Sequence, residues 1–213
     1  MVRVKICGIK TLEDARAVAA LGPDMLGFHV GLARARAPLS AETAGGIIRQ
    51  LPDSIEGVLV TSMSKPDELV QALRTTGAKI LQLYGDTTPE EIQEVKSRLP
   101  HIKVWKVLSA TGDSPVFARR YEDAADALVL DSANNAGQIG GTGFAHDWSV
   151  SSEFASSLQI PIVLAGGLTP DNVEAAIKKV RPYAVDVNSG VSNKDGSKDL
   201  AKVKKFIESA KST

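Results

Sequence analysis

A chain of 213 residues is long enough to bury one sizeable core, and its 25 basic and 25 acidic residues balance to a formal net charge of zero. That balance leaves no electrostatic footprint for nucleic acid, no apolar run approaches the roughly 20 residues needed to cross a bilayer, and the N-terminus enters a strand without a signal-peptide pattern. A cytoplasmic protein with no nucleic-acid or membrane partner is expected. One cysteine cannot form an internal disulfide, and the scattered His29, His101 and His146 show no metal-ligand spacing, so no metal is expected.

Along the chain, β-rich runs at 2–7, 24–30, 56–62, 79–85, 103–109, 126–132, 161–167 and 184–190 alternate with helical patterns, and no linker interrupts them. The helix starts carry cap chemistry. Thr11 precedes "LED", while "TPEE" at 88–91 and "TPDN" at 169–172 place Pro at the first helical position behind a Thr cap. "LGPD", "TTGAK" and "RLP" supply stops. Eight strand–helix rounds in one domain spanning 1–213 fit an α/β chain folded as a (β/α)8 TIM barrel. The alternative is an open doubly wound sheet, but "CGIKTLED" lacks the Gly-rich turn which that fold usually carries after its first strand.

Side chains alternate along a strand, so one parity faces the helices and the other the barrel interior. Val4, Ile6, Leu81, Leu83, Leu128, Leu130, Val185 and Val187 form an apolar set suited to packing under helices. The opposite set holds Lys5, Cys7, Gln82, Tyr84, Lys106, Asp131, Asp186 and Asn188. A packed interior prefers branched apolar residues, so polar groups near strand C-termini point to an active site there. Cys7 and Asp131 are the candidate reactive groups. Lys5, on the face of Cys7, is expected to favour its thiolate, and Asp186 to orient Lys5 or meet a ligand.

"VLAGGLTPDN" at 163–172 and "VDVNSGVSNKDG" at 185–196 end the last two strands with glycines. Backbone donors at these strand ends commonly bind phosphate, which makes Gly166, Gly167, Ser189 and Gly190 the candidate phosphate cradle. "GQIGGTGF" at 137–144, after Asp131, suggests a loop lying close over a ligand.

"VKICGIKTLEDA", "DMLGF", "LQLYG", "LVLDS", "GGTGFAHDW", "LAGGLTPDNV" and "AVDVNSGV" resemble, in order and over essentially the whole chain, the motifs of the phosphoribosylanthranilate isomerase family of tryptophan biosynthesis. The resemblance implies a (β/α)8 barrel with Cys7 as general base and Asp131 as general acid. Lys5, Gln82, Gly141, Thr142, Gly143 and Asp186 are the candidate substrate contacts. The resemblance places Arg36 on the arginine that meets the anthranilate carboxylate, with Arg34 as the competing position. Tyr84 stands where the family usually has histidine, and the loop in "GFHVGLARARAPLSAETA" carries an implied one-residue insertion.

The implied reaction is an Amadori rearrangement of a phosphosugar, in which the protonated imine is itself the electron sink, so no cofactor is required. Two other readings are a related aldose–ketose isomerase acting on another N-linked phosphoribosyl substrate, and a non-catalytic phosphosugar-binding barrel. A metal-dependent epimerase is disfavoured, because His29 is the only histidine at a strand end. A monomer or a homodimer is compatible with the sequence.

Overall fold

The computed structural model describes residues 1–32, 38–132 and 145–213. Eight parallel strands close into a barrel in chain order: β1 (Arg3–Ile6), β2 (Met25–His29), β3 (Glu56–Thr61), β4 (Ile80–Leu83), β5 (Lys103–Ser109), β6 (Ala127–Asp131), β7 (Ile162–Leu164) and β8 (Ala184–Val187). They alternate with α1 (Leu12–Ala19), α2 (Ala41–Ile48), α3 (Pro66–Thr76), α4 (Pro89–Arg98), α5 (Pro115–Ala118), α6 (Trp148–Ser157), α7 (Val173–Val180) and α8 (Leu200–Lys211). β8 pairs with β1 from Arg3↔Ala184 to Ile6↔Val187, which excludes the open doubly wound sheet.

Local chemistry sets the helix ends. The Thr11 hydroxyl accepts from the Asp14 N–H at 3.0 Å, and Thr88 with Glu91 forms a reciprocal capping box behind Pro89. Gly77 ends α3 at φ +69°, where a side chain would be strained. The start expected at "TPDN" is corrected. α7 begins at Val173, because the Asn172 amide is spent on the preceding turn, accepting from the Thr169 N–H at 2.8 Å and donating to the Gly167 carbonyl at 3.0 Å.

Two apolar clusters divide the core. The outer one, under the helices, contains all eight residues assigned to that face, from Val4 and Ile6 to Val185 and Val187. The inner one fills the barrel with Met25, Val58, Ile80, Trp105, Ala127, Val163, Ala184 and their neighbours. Lys5, Gln82, Asp131 and Asp186 interrupt it towards the C-terminal ends of their strands, and all four are buried. Lys106 is a second correction. Val104 and Leu108 lie in the outer cluster while Trp105 and Val107 lie in the inner one, so Lys106 faces the helices. Its ammonium donates to the Gly85 carbonyl and sits 5.7 Å from the Tyr121 ring centroid. β5 is buried on both faces from Val104 to Ser109, so its alternation carries no directional signal.

Candidate active site

Register explains the first half of the site. Lys5 and Asp186 are Cα partners across the β1–β8 seam, and the Lys5 ammonium donates to Asp186 Oδ2 at 2.8 Å with both groups buried. Cys7 follows two residues later, and its Sγ lies 3.3 Å from His29 Nε2 on the neighbouring β2. Gly27 makes this crowding possible: a Cβ there would stand 2.8 Å from the sulfur and 3.1 Å from Lys5 Nζ. Strand parity points His29 inward, since it alternates with Leu26 and Phe28 of the outer cluster. That parity was the available signal for a residue considered at the sequence level only as a possible metal ligand.

Lys5 favours the Cys7 thiolate as expected, but a stronger effect opposes it. Burial pushes the thiol up, and although Lys5 pulls it down, burial prevails and the resting group is a thiol. Lys5 also loses solvation, yet attraction to Asp186 and Cys7 raises its pKa and keeps it an ammonium. Burial, reinforced by Lys5, Lys198 and Lys10, brings His29 down to about 4, so its imidazole is neutral near pH 7.

Asp131 ends β6 on the other side of the rim. The Tyr84 hydroxyl donates to its Oδ2 at 2.9 Å and the Ser132 N–H to its Oδ1 at 2.8 Å. Both bonds favour the ionised form, but burial outweighs them and lifts the carboxyl to about 6. Tyr84 is itself held well above its ordinary value by burial and stays a neutral donor. Below it, Gln82 is fully buried with neither amide atom bonded among the described residues, and Asp186 Oδ1 is likewise unpartnered. Such unpartnered groups are costly in an apolar interior.

The loops after β7 and β8 meet at the same end. Gly166 and Gly167 have φ of +82° and +62°, and a Cβ on Gly190 would run into the Leu168 carbonyl. Among the described residues, the N–H groups of Gly166, Gly167 and Gly190 donate to no protein acceptor. Ser189 opens a short 3-10 turn beside them. Sequence reasoning missed Lys198, whose buried ammonium donates to Asn188 Oδ1 at 2.9 Å and Ser192 Oγ at 2.8 Å, and which burial brings down to about 8. The remaining expected site residues, Arg34, Arg36, Gly141, Thr142 and Gly143, lie outside the described residues. No group of three or more metal-ligating side chains occurs among the described residues, and no helix among them is long and apolar enough to cross a membrane.

A closed parallel barrel with polar groups gathered at the C-terminal ends of its strands belongs to the class of (β/α)8 barrel enzymes. Comparison with known proteins narrows the class. The family model for N-(5'-phosphoribosyl)anthranilate (PRA) isomerase matches residues 4–209. The chain is 41% identical over 214 residues to the N-(5'-phosphoribosyl)anthranilate isomerase of Methanocella arvoryzae, covering all of both chains. It superposes with a TM-score of 0.86 at 34% identity on the phosphoribosyl anthranilate isomerase of Thermotoga maritima, again over both whole chains. It superposes with a TM-score of 0.83 at 32% identity, over both whole chains, on a phosphoribosyl anthranilate isomerase in complex with reduced 1-(o-carboxyphenylamino)-1-deoxyribulose 5-phosphate. The chain belongs to the phosphoribosylanthranilate isomerase family.

Proposed function

We propose that this enzyme of tryptophan biosynthesis converts N-(5'-phosphoribosyl)anthranilate to 1-(2-carboxyphenylamino)-1-deoxyribulose 5-phosphate, with Asp131 as general acid and Cys7 as general base. The observation that carries the assignment of roles is the Asp131 carboxyl, lifted to about 6 at the barrel rim that also holds the chain's only thiol. Protonated Asp131 gives its proton to the ribose ring oxygen as the C1–O bond breaks, and the aniline nitrogen supplies electrons to form an iminium ion. The Cys7 thiolate then takes the C2 proton, and the C–H electrons form the enolamine that tautomerises to the ketone. Because the iminium accepts those electrons, the chemistry needs no cofactor.

Gly166, Gly167, Ser189 and Gly190 bind the phosphate through backbone donors, and Gly141, Thr142 and Gly143 contribute to substrate binding. Gln82, Asp186 and Lys5 face the sugar. Arg36 grips the anthranilate carboxylate, since a guanidinium can meet both oxygens at once. The protein acts in the cytoplasm as a single barrel domain, monomeric or homodimeric. Incubation with enzymatically made N-(5'-phosphoribosyl)anthranilate should abolish its fluorescence, and persistence of the signal would refute the activity. Arg36→Ala should raise KM strongly and lower kcat little, because the carboxylate is remote from the bonds that change.

A further inference from the structure

His29 is a half-buried titratable group that the proposed chemistry leaves unused, yet its Nε2 lies 3.3 Å from the sulfur of Cys7. Lys5 stabilises a thiolate through charge and a hydrogen bond, while another N–H of the same ammonium donates to Asp186 at 2.8 Å. A thiolate accepts more than one hydrogen bond, so the sulfur at the end of β1 has room for a second donor beside Lys5. The inward face of β2 supplies one: Gly27 leaves room for the sulfur, and His29, two residues on, lies within reach of it.

We propose that His29 is a positioning residue for Cys7: as a neutral imidazole it donates its Nε2–H to the thiolate and fixes the sulfur towards the substrate carbon. The inference rests on Cys7 being the base, and it deepens that reading. Neutrality suits the role. Lys5 on β1, Lys10 after β1 and Lys198 after β8 all oppose a charge on His29, so the donor does not titrate across the working range. The thiol itself faces Lys5 and Lys198, which favour ionisation, and Asp186, which opposes it, and Tyr84 of the opposite side senses its charge. An imidazolium would instead exchange its proton with the sulfur and add a second titration to the profile.

Cys7 is the only cysteine, so thiolate absorbance in the ultraviolet, taken as the difference between each protein and its Cys7→Ala counterpart, reports this group alone. His29→Ala should move the thiol midpoint up by about one to two units, the scale of a lost hydrogen bond to a charged group. kcat near neutral pH should fall roughly tenfold to a hundredfold, in step with the lost thiolate, while KM holds. His29→Gln, which keeps a neutral N–H donor, should restore part of both and guards against a merely unfolded alanine variant, with circular dichroism confirming the fold. An unchanged thiol midpoint in both variants, a midpoint that moves down, or an effect on KM alone would overturn the proposal. Full activity of Cys7→Ala would refute the base assignment instead, and the absorbance titration would still decide whether His29 donates to the sulfur.

Discussion

On the β6 side of the rim, burial lifts the Asp131 carboxyl to about 6 and keeps part of it protonated, which a general acid needs. On the β1 side the same burial lifts the Cys7 thiol away from its ionised form, which a general base cannot use. The acid thus has a lower pKa than the base. The proposed working state, with Asp131 protonated and Cys7 ionised, is the minority arrangement of a site that holds one proton between the two groups. What stabilises the thiolate or destabilises the carboxylate enlarges that minority, and the two sides differ in which they do. Lys5 serves the thiolate, whereas Tyr84 and the Ser132 N–H serve the carboxylate.

The comparison breaks most directly at the two reactive groups. Cys7→Ala and Asp131→Asn should each lower kcat by at least roughly a hundredfold, measured by loss of substrate fluorescence, with the fold intact by circular dichroism. Near-normal turnover in either variant removes that residue from the mechanism. Lys5→Met tests the β1 side next. Without the ammonium the thiol moves further up and kcat/KM near neutral pH falls at least about tenfold. Asp186 is then left buried without its cation, and urea unfolding should show a loss of about 3–5 kcal/mol.

The pH profile sharpens the picture. kcat/KM should rise through about pH 6, as the doubly protonated site loses its first proton, and fall above the raised thiol pKa, as the last proton leaves. The smallest effect is expected from Tyr84→Phe, and it runs against intuition. Losing the phenol's bond moves Asp131 further up, so the acid limb shifts to higher pH and the plateau rises a few-fold. A lowered plateau with an unmoved acid limb would show that Tyr84 serves the substrate rather than the carboxyl.

The strands and their faces were readable because β1, β4, β6 and β8 keep one parity apolar and carry polar residues only on the other, towards the C-terminal ends. Lys106 misled because both faces of β5 are buried, and a long side chain can leave an apolar face to reach a carbonyl and a ring. Proximity of Lys5 to Cys7 was legible, but the direction of the thiol's shift was not, since it depends on how completely both are withdrawn from water. The bond between His29 and Cys7 joins neighbouring strands, and Gly27 had to be seen as space rather than as a weak strand residue.

The ion pair of Lys5 and Asp186 joins residues 181 positions apart, across the seam where the first strand meets the last. Until β8 has been synthesised and added, β1 has an unpaired edge and its lysine has no counter-charge. Non-local parallel pairing of this kind is slow to form, because the loop entropy is lost before the contact is gained. The environment that stabilises the thiolate is therefore completed only when the barrel is. Partly folded chains hold the cysteine without it, and the appearance of catalytic activity during refolding should lag behind the recovery of helical signal.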